Sequence, residues 1–398
     1  MALPQTERLY YRDCYLTEFE ARAVEVKEGA EGFCVYLDRS AFYPESGGQP
    51  SDTGTLGGMP VLELIDEGEA VAHVLAESPK NDSVKGKVDW PRRFDHMQQH
   101  TGQHVLSSAF EKAGGYKTVS FHLGKEVSTI DLDSDRIGRR QIEEAEDLAN
   151  SIIFENREVR IFFAPAEAAN CMDLRKPTFR QGDVRLVEID AFDLSACGGT
   201  HVSRTGAVGI IAVRKSERVK GLTRVEFVCG ARALRRARDD YRFLSEAALQ
   251  LSTSLENVPS LIQKQSAELR DALQAREKLQ ERLAECRALE LLASAPERKG
   301  RRIVRVITTP YDLEDPKLLA HAVVRQGNAV ALIGMKGEPA GLILAQSPGG
   351  SENMNALLRQ TIAQVGGKGG GRRDFAQAGG LDEGNLEEAL ALAESLLG

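Results

Sequence analysis

Two short, widely separated segments, His100-Thr-Gly-Gln-His104 and Cys197-Gly-Gly-Thr-His201, constrain this chain most. On a helix, residues four apart lie on one face, so His100 and His104 would present two imidazoles one turn apart. In the second segment, a glycine pair permits the tight turn that would aim Cys197 and His201 at one point. Three nitrogens and one thiolate sulfur form a ligand set suited to Zn²⁺. The sequence therefore predicts a fold in which the two segments meet around one zinc ion per chain.

The sequence leaves open which histidines bind the metal and how many protein ligands it has. His96 lies four residues before His100 and extends the same stripe, so spacing alone allows either 96/100 or 100/104 as the ligand pair. Outside the ligand set, His96 is expected to pack. Ligand number is also open, because four protein ligands close a tetrahedral zinc site. Three would leave a position for a water molecule, whose pKa the metal could lower to about 7.

Composition predicts the cellular compartment of the protein and bears on the partners that it can bind. The chain of 398 residues has no apolar stretch near the roughly 20 residues of a membrane span, and its first residues do not resemble a signal peptide. Six unpaired-looking cysteines fit a reducing compartment, so we expect a cytoplasmic protein without membrane contact. The net charge of −8 disfavours a nucleic-acid partner overall, but arginines cluster at Arg232, Arg235, Arg236, Arg238 and Arg242.

Local patterns predict an α+β protein in four parts. Strands and turns over residues 1–90 predict a small β-barrel, and residues 91–232 predict a zinc-containing α/β domain with helices over 92–113 and 134–153. Residues 233–297 are charged and helical, with a break near Pro259 and an apolar seam. They predict a helical hairpin, which is a candidate homodimer seam. Residues 298–398 alternate strand and helix, with a glycine-rich loop at 366–380, and predict a second α/β domain.

Five motifs resemble alanyl-tRNA synthetases, in the same order along the chain. Residues 42–54 (FYPESGGQPSDTG) resemble the glycine-rich segment of their editing region, and residues 100–106 (HTGQHVL) resemble their zinc-binding helix. Residues 197–201 resemble the second zinc segment, and residues 224–232 (RVEFVCGAR) the arginine-bearing strand that ends the editing unit. Residues 366–380 are similar to the DHH-associated domain at the synthetases' C-termini.

This resemblance implies a zinc-dependent editing hydrolase of the long AlaX type. It selects His100 and His104, with Cys197 and His201, as the zinc ligands and leaves His96 unassigned. Because the sequence begins at the barrel, a free-standing protein without an aminoacylation domain is expected. Its implied activity is hydrolysis of mischarged tRNA(Ala) in trans, chiefly Ser-tRNA(Ala), with Gly-tRNA(Ala) as a second substrate.

The resemblance also implies where substrate and tRNA would bind. The glycine-rich segment would form the substrate region through Gly47, Gly48 and Gln49. A pocket selective for serine needs a polar group facing the serine hydroxyl, and the strand after the zinc helix offers Thr118, Ser120 and His122 as catalytic-site candidates. Contacts to tRNA are expected from two basic groups, which are Arg232, Arg235 and Arg236, and Lys368, Arg372 and Arg373.

Two other classes of function remain open from the sequence. One is a zinc hydrolase that acts on a different small ester or amide. The other is a non-catalytic module in which zinc holds the fold while the helical and C-terminal parts bind RNA or dimerise. A DHH phosphodiesterase is disfavoured because the chain contains no Asp-His-His motif. The glycine-rich loop also lacks the pattern of a nucleotide-binding P-loop, which disfavours ATP binding.

Overall fold

The structure is a computed structural model that describes residues 4–29, 32–179, 181–313 and 315–397. The chain divides into two compact units, Met1–Glu246 and Ala247–Gly398. Among the described residues, no helix is both long and apolar enough to cross a membrane. The predicted α+β composition is confirmed, whereas the division into four parts stays a prediction.

The N-terminal part of the first unit is a β-sheet domain. Its strands are β1 Glu7–Arg8, β2 Glu18–Gly29, β3 Gly32–Leu37, β4 Arg39–Ser40, β5 Gly54–Leu56, β6 Met59–Pro60, β7 Glu63–Glu67, β8 Ala70–Leu75 and β9 Ser83–Val88. Seven of them form an antiparallel sheet in the order β6-β5-β9-β2-β3-β8-β7, while β1 and β4 pair separately. Strands from both halves of this sheet share one apolar core.

The predicted β-barrel is confirmed in part, as an open half-barrel. In the part of the chain that the structure describes, β6 and β7 are edge strands that do not pair with each other, so the sheet stays open. Both edges are short, two and five residues, which limits the exposed row of unpaired backbone groups. Sequence patterns identify strands, but closure depends on pairing between distant strands, which these patterns do not encode.

The rest of the first unit surrounds a long central helix. In chain order its elements are α1 Trp90–Gly114, β10 Thr118–Leu123, β11 Ser128–Leu132, α2 Arg139–Phe154, β12 Val159–Pro165, α3 Ala166–Asn170, β13 Asp183–Ile189, β14 Asp193–Ala196, β15 Ile211–Val219, β16 Leu222–Cys229 and α4 Gly230–Gln250. The strands form two antiparallel sheets, β10-β11-β16-β15 and β12-β13-β14. Helix α2 begins five residues later than predicted because Gly138 is extended at its N-cap.

Helix α1 is buried along most of its length, although many of its residues are polar. Proline in its first turn and a left-handed Gly115 after its last residue fix both ends, as expected for such caps. Gln99 exchanges two hydrogen bonds with the backbone of Cys229, at 2.9 and 3.0 Å. A Cβ at Gly102 would lie 2.3 Å from the Cys229 sulfur, so glycine allows helix and strand to approach closely. These contacts place the predicted metal ligands in the interior.

The second unit is a sheet covered by helices on both faces. Its elements are α5 Val258–Ser294, β17 Glu297–Arg298, β18 Arg301–Thr308, α6 Pro316–Arg325, β19 Ala329–Met335, β20 Ala340–Gln346, α7 Met354–Val365, β21 Lys368–Gly371, β22 Phe375–Leu381 and α8 Leu386–Ser395. The strand order is β17-β18-β19-β20-β22-β21, with β18 parallel to β19 through the crossover helix α6. Helices α7 and α8 pack on one apolar core of this unit, and α5 and α6 on another.

The structure tests two predictions for this half of the chain, the helical break near Pro259 and the glycine-rich loop. The predicted break is present, because α5 begins at Val258 with Pro259 in its first turn, but the hairpin and the homodimer seam stay predictions. The predicted glycine-rich loop at 366–380 is wrong for residues 368–371 and 375–380, because these belong to the edge strand β21 and to β22, with which β21 pairs. Glycine carries no side chain, so a strand made of glycines shows no hydrophobic alternation in the sequence.

Candidate metal centre

The four predicted ligand residues lie together in the first unit. One ligand atom each from His100, His104, Cys197 and His201 falls within 4.8 Å of all the others. The Cys197 sulfur lies 3.4 Å from His100 Nε2 and 3.3 Å from His201 Nε2. In a tetrahedral zinc site, bond lengths near 2.3 and 2.1 Å separate sulfur and nitrogen ligands by roughly 3.6 Å. The observed spacing therefore fits one tetrahedrally bound metal ion.

Each imidazole is oriented by a hydrogen bond at its other nitrogen. Nδ1 of His100 lies 2.8 Å from Gln49 Oε1, Nδ1 of His104 lies 3.1 Å from Asp193 Oδ2, and Nδ1 of His201 lies 3.1 Å from Thr101 Oγ1. Such outer partners fix the tautomer and direct Nε2 toward a metal. All three Nε2 atoms are thereby available as ligands. This arrangement of outer partners is a second, independent feature typical of a metal site.

The electrostatics of the cluster favour the thiolate form of Cys197 and the neutral form of His201, whereas His104 has to lose a proton more readily held than usual before it can bind a metal. Burial opposes ionisation of Cys197, but electrostatic attraction to His100 and hydrogen bonds from His100 and His104 outweigh it and hold the thiol pKa well below its usual value. Burial lowers the pKa of His201 to about 3, so this imidazole is neutral. At His104, burial is outweighed by the Asp193 and Cys197 contacts, which raise the pKa. A thiolate beside imidazoles is the donor set that Zn²⁺ binds most readily.

Gln49 connects the glycine-rich segment to the metal cluster, whereas the adjoining Gly47 and Gly48 are exposed. Gln49 is buried, and its Oε1 accepts hydrogen bonds from His100 and from the backbone N–H of Thr200, 3.1 Å away. Its Nε2 donates to the Thr200 hydroxyl at 2.9 Å. Gly48 has a positive φ of 82°, and a Cβ there would lie 2.8 Å from the Phe121 carbonyl oxygen. Of the predicted substrate region, Gln49 therefore contacts a metal-ligand histidine directly.

The glycine pair between Cys197 and His201 provides a sharp test of the cluster. A Cβ at Gly199 would lie 2.1 Å from His100 Cε1, so Gly199→Ala has to displace that imidazole. We expect zinc affinity to fall about 10- to 100-fold, the range seen when the support of a metal ligand is lost. Competition with a chromogenic chelator measures this affinity.

Gly198→Ala is the matched control. A Cβ at Gly198 meets only Tyr11, at an ordinary 3.7 Å, so zinc affinity should not change. Equal affinities of the two variants would contradict the role assigned to Gly199.

A cavity opens beside the metal cluster. It has a volume of about 540 Å³, and His104 contributes to its wall. Its lining residues are Gln103, His104, Thr118, Val119, Ser120, Phe121, Arg175, Lys176, Pro177, Thr178, Phe179, Ser195 and Ala196. Phe121 also stacks on His100, with ring centres 5.3 Å apart. The cavity and the cluster therefore share side chains.

The predicted hydroxyl-bearing residues differ in their relation to this cavity. Thr118 lines it and donates a hydrogen bond to Ser107 Oγ at 2.7 Å. Ser120 also lines it, and its hydroxyl donates to Asp131 Oδ2 at 2.6 Å, which in turn pairs with Arg224. His122 is exposed on the same strand and is not one of the lining residues described for the cavity. Thr118 and Ser120 thus remain substrate-contact candidates, and His122 loses its support.

Arg232 is buried instead of facing a nucleic acid. It forms an ion pair with Asp95 at 2.7 Å and donates to the Gly124 carbonyl oxygen at 2.7 Å. We therefore withdraw it from the predicted RNA contacts. Arg235 is exposed and Arg236 is half-buried, with Glu126 3.7 Å away. In the second unit, three further predicted basic residues are exposed: Lys368, Arg372 and Arg373.

His96 is not part of the metal cluster found among the described residues. It is buried, and its Nδ1 has no hydrogen-bond partner. Burial first, and then the neighbouring charge of Arg92, lowers the pKa of His96 to about 4, so the imidazole is neutral. This finding agrees with packing as its role.

Sequence reasoning missed several residues around the site. Asp193 orients His104, and Arg175 donates to Asp193 Oδ1 at 2.8 Å. Lys176 and Phe179 belong to the same cavity wall. None of these lies in a recognisable motif, and a lone aspartate or phenylalanine gives no local signal. These residues reach the site only because β14 and the segment before it fold against α1.

Family profiles match two parts of the chain. The profile described as "Threonyl and Alanyl tRNA synthetase second additional domain" matches residues 184–226, and these include Cys197 and His201. The profile described as "DHHA1 domain" matches residues 320–398. The first match contains the segment 197–201 and the second contains the segment 366–380, two of the segments in which the sequence resembles alanyl-tRNA synthetases.

Whole-chain comparisons find alanine–tRNA ligases. The ligase of Halobacterium salinarum is 34% identical over 414 residues, which is 100% of this chain and 44% of the ligase. That of Pyrococcus abyssi is 32% identical, over 99% of this chain and 44% of the ligase. The chain thus spans less than half the length of these relatives. A crystal structure of the C-Ala domain of Aquifex aeolicus alanyl-tRNA synthetase matches 26% of this chain and 99% of that domain, at 24% identity and a TM-score of 0.24.

Proposed function

The chain is related over its whole length to alanine–tRNA ligases. We therefore propose that it is a hydrolase that acts in trans on mischarged tRNA(Ala). Its proposed main substrate is Ser-tRNA(Ala), and Gly-tRNA(Ala) is the second. One observation carries the proposal. His104 belongs both to the four-residue cluster and to the wall of a cavity that also contains Thr118 and Ser120. The proposed compartment is the cytoplasm.

Zinc is the proposed metal, at one ion per chain. His100, His104, Cys197 and His201 would hold it, since three imidazoles and a thiolate match its preferred donors. When bound, Zn²⁺ fixes these side chains and adds positive charge at the cavity wall. Because four protein ligands already satisfy tetrahedral coordination, the same centre also fits a purely structural metal in a non-catalytic RNA-binding protein. That second candidate function is tested by the Cys197 variant in the Discussion.

The cavity wall is suited to recognise a small polar substituent. The buried Thr118 hydroxyl donates to Ser107, so its lone pairs remain available to accept a hydrogen bond from the serine hydroxyl. An alanyl group would leave that buried acceptor unpaired, which disfavours its binding. The aminoacyl ester is already reactive, so positioning it beside water contributes much of the required acceleration.

The tRNA body is the proposed second determinant of substrate choice. Arg235 and Arg236 in the first unit, and Lys368, Arg372 and Arg373 in the second, are the proposed phosphate contacts. Binding through such residues should weaken steeply as salt increases. A homodimer through α5 is also proposed, because Ile262, Leu269, Leu279 and Leu283 expose apolar side chains along this helix.

The decisive comparison is between charged tRNA and a minimal ester. We expect the zinc-loaded chain to hydrolyse Ser-tRNA(Ala) much faster than seryl-adenosine, measured as released serine under identical conditions. Equal rate constants for the two substrates would favour a zinc hydrolase of small esters. Slow hydrolysis of both would favour the RNA-binding module.

Thr118→Val tests recognition of the hydroxyl group. Valine keeps the shape of threonine but removes the hydroxyl, so we expect the Ser-tRNA(Ala) to Ala-tRNA(Ala) rate ratio to fall about tenfold, the effect of one hydrogen bond. Thr129→Val is the control, since Thr129 lies on the neighbouring strand β11 and outside the cavity lining. An unchanged ratio in Thr118→Val would exclude this hydroxyl from substrate recognition.

A further inference from the structure

The segment between α3 and β13 forms one side of the cavity. Five consecutive residues, Arg175 to Phe179, line it, facing the wall that contains His104 and Thr118. The segment has no helix or strand in its described residues, 171–179 and 181–182. Neither composition nor motif matching draws attention to it, and the metal cluster does not use it as a ligand source.

Several hydrogen bonds hold this segment in place. The Asn170 side chain binds both backbone polar groups of Thr178, each at 3.0 Å. The Arg175 backbone N–H donates to the Leu194 carbonyl oxygen at 2.9 Å, and its guanidinium binds Asp193. Since Asp193 also orients His104, the segment is connected to the metal cluster through one carboxylate. Its position relative to the cavity is therefore fixed by the fold.

Phe179 presents a flat apolar surface to water at the cavity edge. Its side chain is 96% exposed, whereas the other phenylalanine of the lining, Phe121, is half-buried against His100. A single exposed aromatic is common on protein surfaces. Here it adjoins a cavity that contains a proposed metal ligand and two cations, and this combination points to a ligand with a planar group and a negative charge.

Lys176 and Arg175 supply those two cations. Lys176 is exposed, its Nζ lies 3.4 Å from the Val119 carbonyl oxygen, and no ion pair is found for it within the described ranges. Partial desolvation and the charge of Arg175 lower the pKa of Lys176, and the carboxylate of Glu111 opposes this shift only in part. The nearby carboxylate of Asp193 is already shared by His104, Arg175 and Ser195. An anion supplied by the ligand would complete the charge balance.

We propose that Phe179 and Lys176 form a binding subsite for the 3′-terminal nucleotide of the RNA substrate. The Phe179 ring stacks on the terminal base, and the Lys176 ammonium binds the adjoining phosphate, a combination typical of single-stranded RNA sites. The terminal ribose, which carries the aminoacyl ester, then faces the cavity. This inference rests on the proposed function, because it assigns the position of the same substrate.

Binding of uncharged RNA tests the subsite without requiring hydrolysis. The probes are two acceptor-stem hairpins, one ending in CCA and one lacking the terminal adenosine, titrated into the full zinc-loaded chain. We expect Phe179→Ala to weaken binding of the CCA hairpin about tenfold, within the range for loss of one stacked base. Binding of the shortened hairpin should not change. Phe154→Ala is the matched control, because Phe154 is 71% exposed on α2 outside the cavity lining.

Two further variants report on stacking and on charge. The chain contains a single tryptophan, Trp90, so Phe179→Trp adds a second fluorophore, and its emission should be quenched by the CCA hairpin more than by the shortened one. Lys176→Gln should reduce the dependence of log Kd on log salt by about 0.7, the value for one phosphate contact on a single strand.

The outcomes separate this inference from the proposed function. Unchanged affinity of Phe179→Ala for the CCA hairpin, or equal quenching of Phe179→Trp by both hairpins, would overturn the subsite even if the chain hydrolyses Ser-tRNA(Ala). The expected binding changes in a chain that fails to hydrolyse any charged tRNA would support the subsite and reject the proposed hydrolase.

Discussion

Cys197→Ala is expected to abolish zinc binding and Ser-tRNA(Ala) deacylation together. The substitution removes the only sulfur of the cluster and leaves three imidazoles around a buried space. Zinc loses its most strongly bound charged ligand, so we expect at least a 100-fold loss of affinity and a comparable loss of rate. Cys286→Ala is the matched control, because Cys286 is an exposed cysteine of the second unit.

Three measurements distinguish the outcomes for Cys197→Ala. Zinc content after gel filtration reports occupancy, the thiolate-to-metal absorption of the cobalt-loaded chain reports the Cys197 ligand, and thermal unfolding reports the fold. A folded, zinc-free and inactive variant would support the account. His104→Ala, which removes an imidazole instead, should give the same result. Full deacylation by a zinc-free variant would refute the role of the metal, and unfolding of both variants would favour the structural-zinc module.

Arg93→Met is expected to lower the free energy of unfolding by about 3–5 kcal/mol, the cost of breaking a buried ion pair. The Arg93 and Asp52 side chains are fully buried and in contact, and the Arg93 guanidinium also donates to the carbonyl oxygens of Cys14 and Ala41 at 2.9 and 2.6 Å. Methionine fills the space but removes the cation from the Asp52 carboxylate, which keeps only the Tyr43 backbone N–H at 2.7 Å, and takes the Arg93 donors from two carbonyl groups. The effect is large because this buried pair joins α1 to the N-terminal sheet domain.

Urea denaturation followed by circular dichroism measures this change, with Arg140→Met as control. Arg140 forms an exposed pair with Glu144 four residues along α2, so its loss should cost no more than about 0.5 kcal/mol. Adding Asp52→Leu to Arg93→Met should recover part of the lost stability, because the unpaired charge is removed. A loss below about 1 kcal/mol in Arg93→Met would show that water reaches Asp52.

The sequence predicted the metal cluster better than its surroundings. Cysteine and histidine in two short motifs have few roles besides metal binding, so the ligands could be named before the fold was known, and their clustering is confirmed. Their orienting partners could not. Asp193 and Gln49 are ordinary polar residues, and only the folded chain brings each to within hydrogen-bond distance of an imidazole.

The incorrect predictions also concern contacts between residues that are distant in the sequence. Arg232 seemed part of a solvated basic face because its partner, Asp95, is 137 residues away in the chain. The alternation of strand and helix predicted for residues 298–398 is present, with α6 and α7 among its helices, since helical periodicity is local. The open edges of the N-terminal sheet and the pairing of β21 depend on contacts between distant strands, and local composition does not determine such contacts.

The most direct test is deacylation of Ser-, Gly- and Ala-tRNA(Ala) by the purified chain loaded with one zinc ion. The account predicts rapid release of serine, slower release of glycine, and alanine spared, because the cavity offers Thr118 to the serine hydroxyl. Equal turnover of all three substrates, or none, would contradict it.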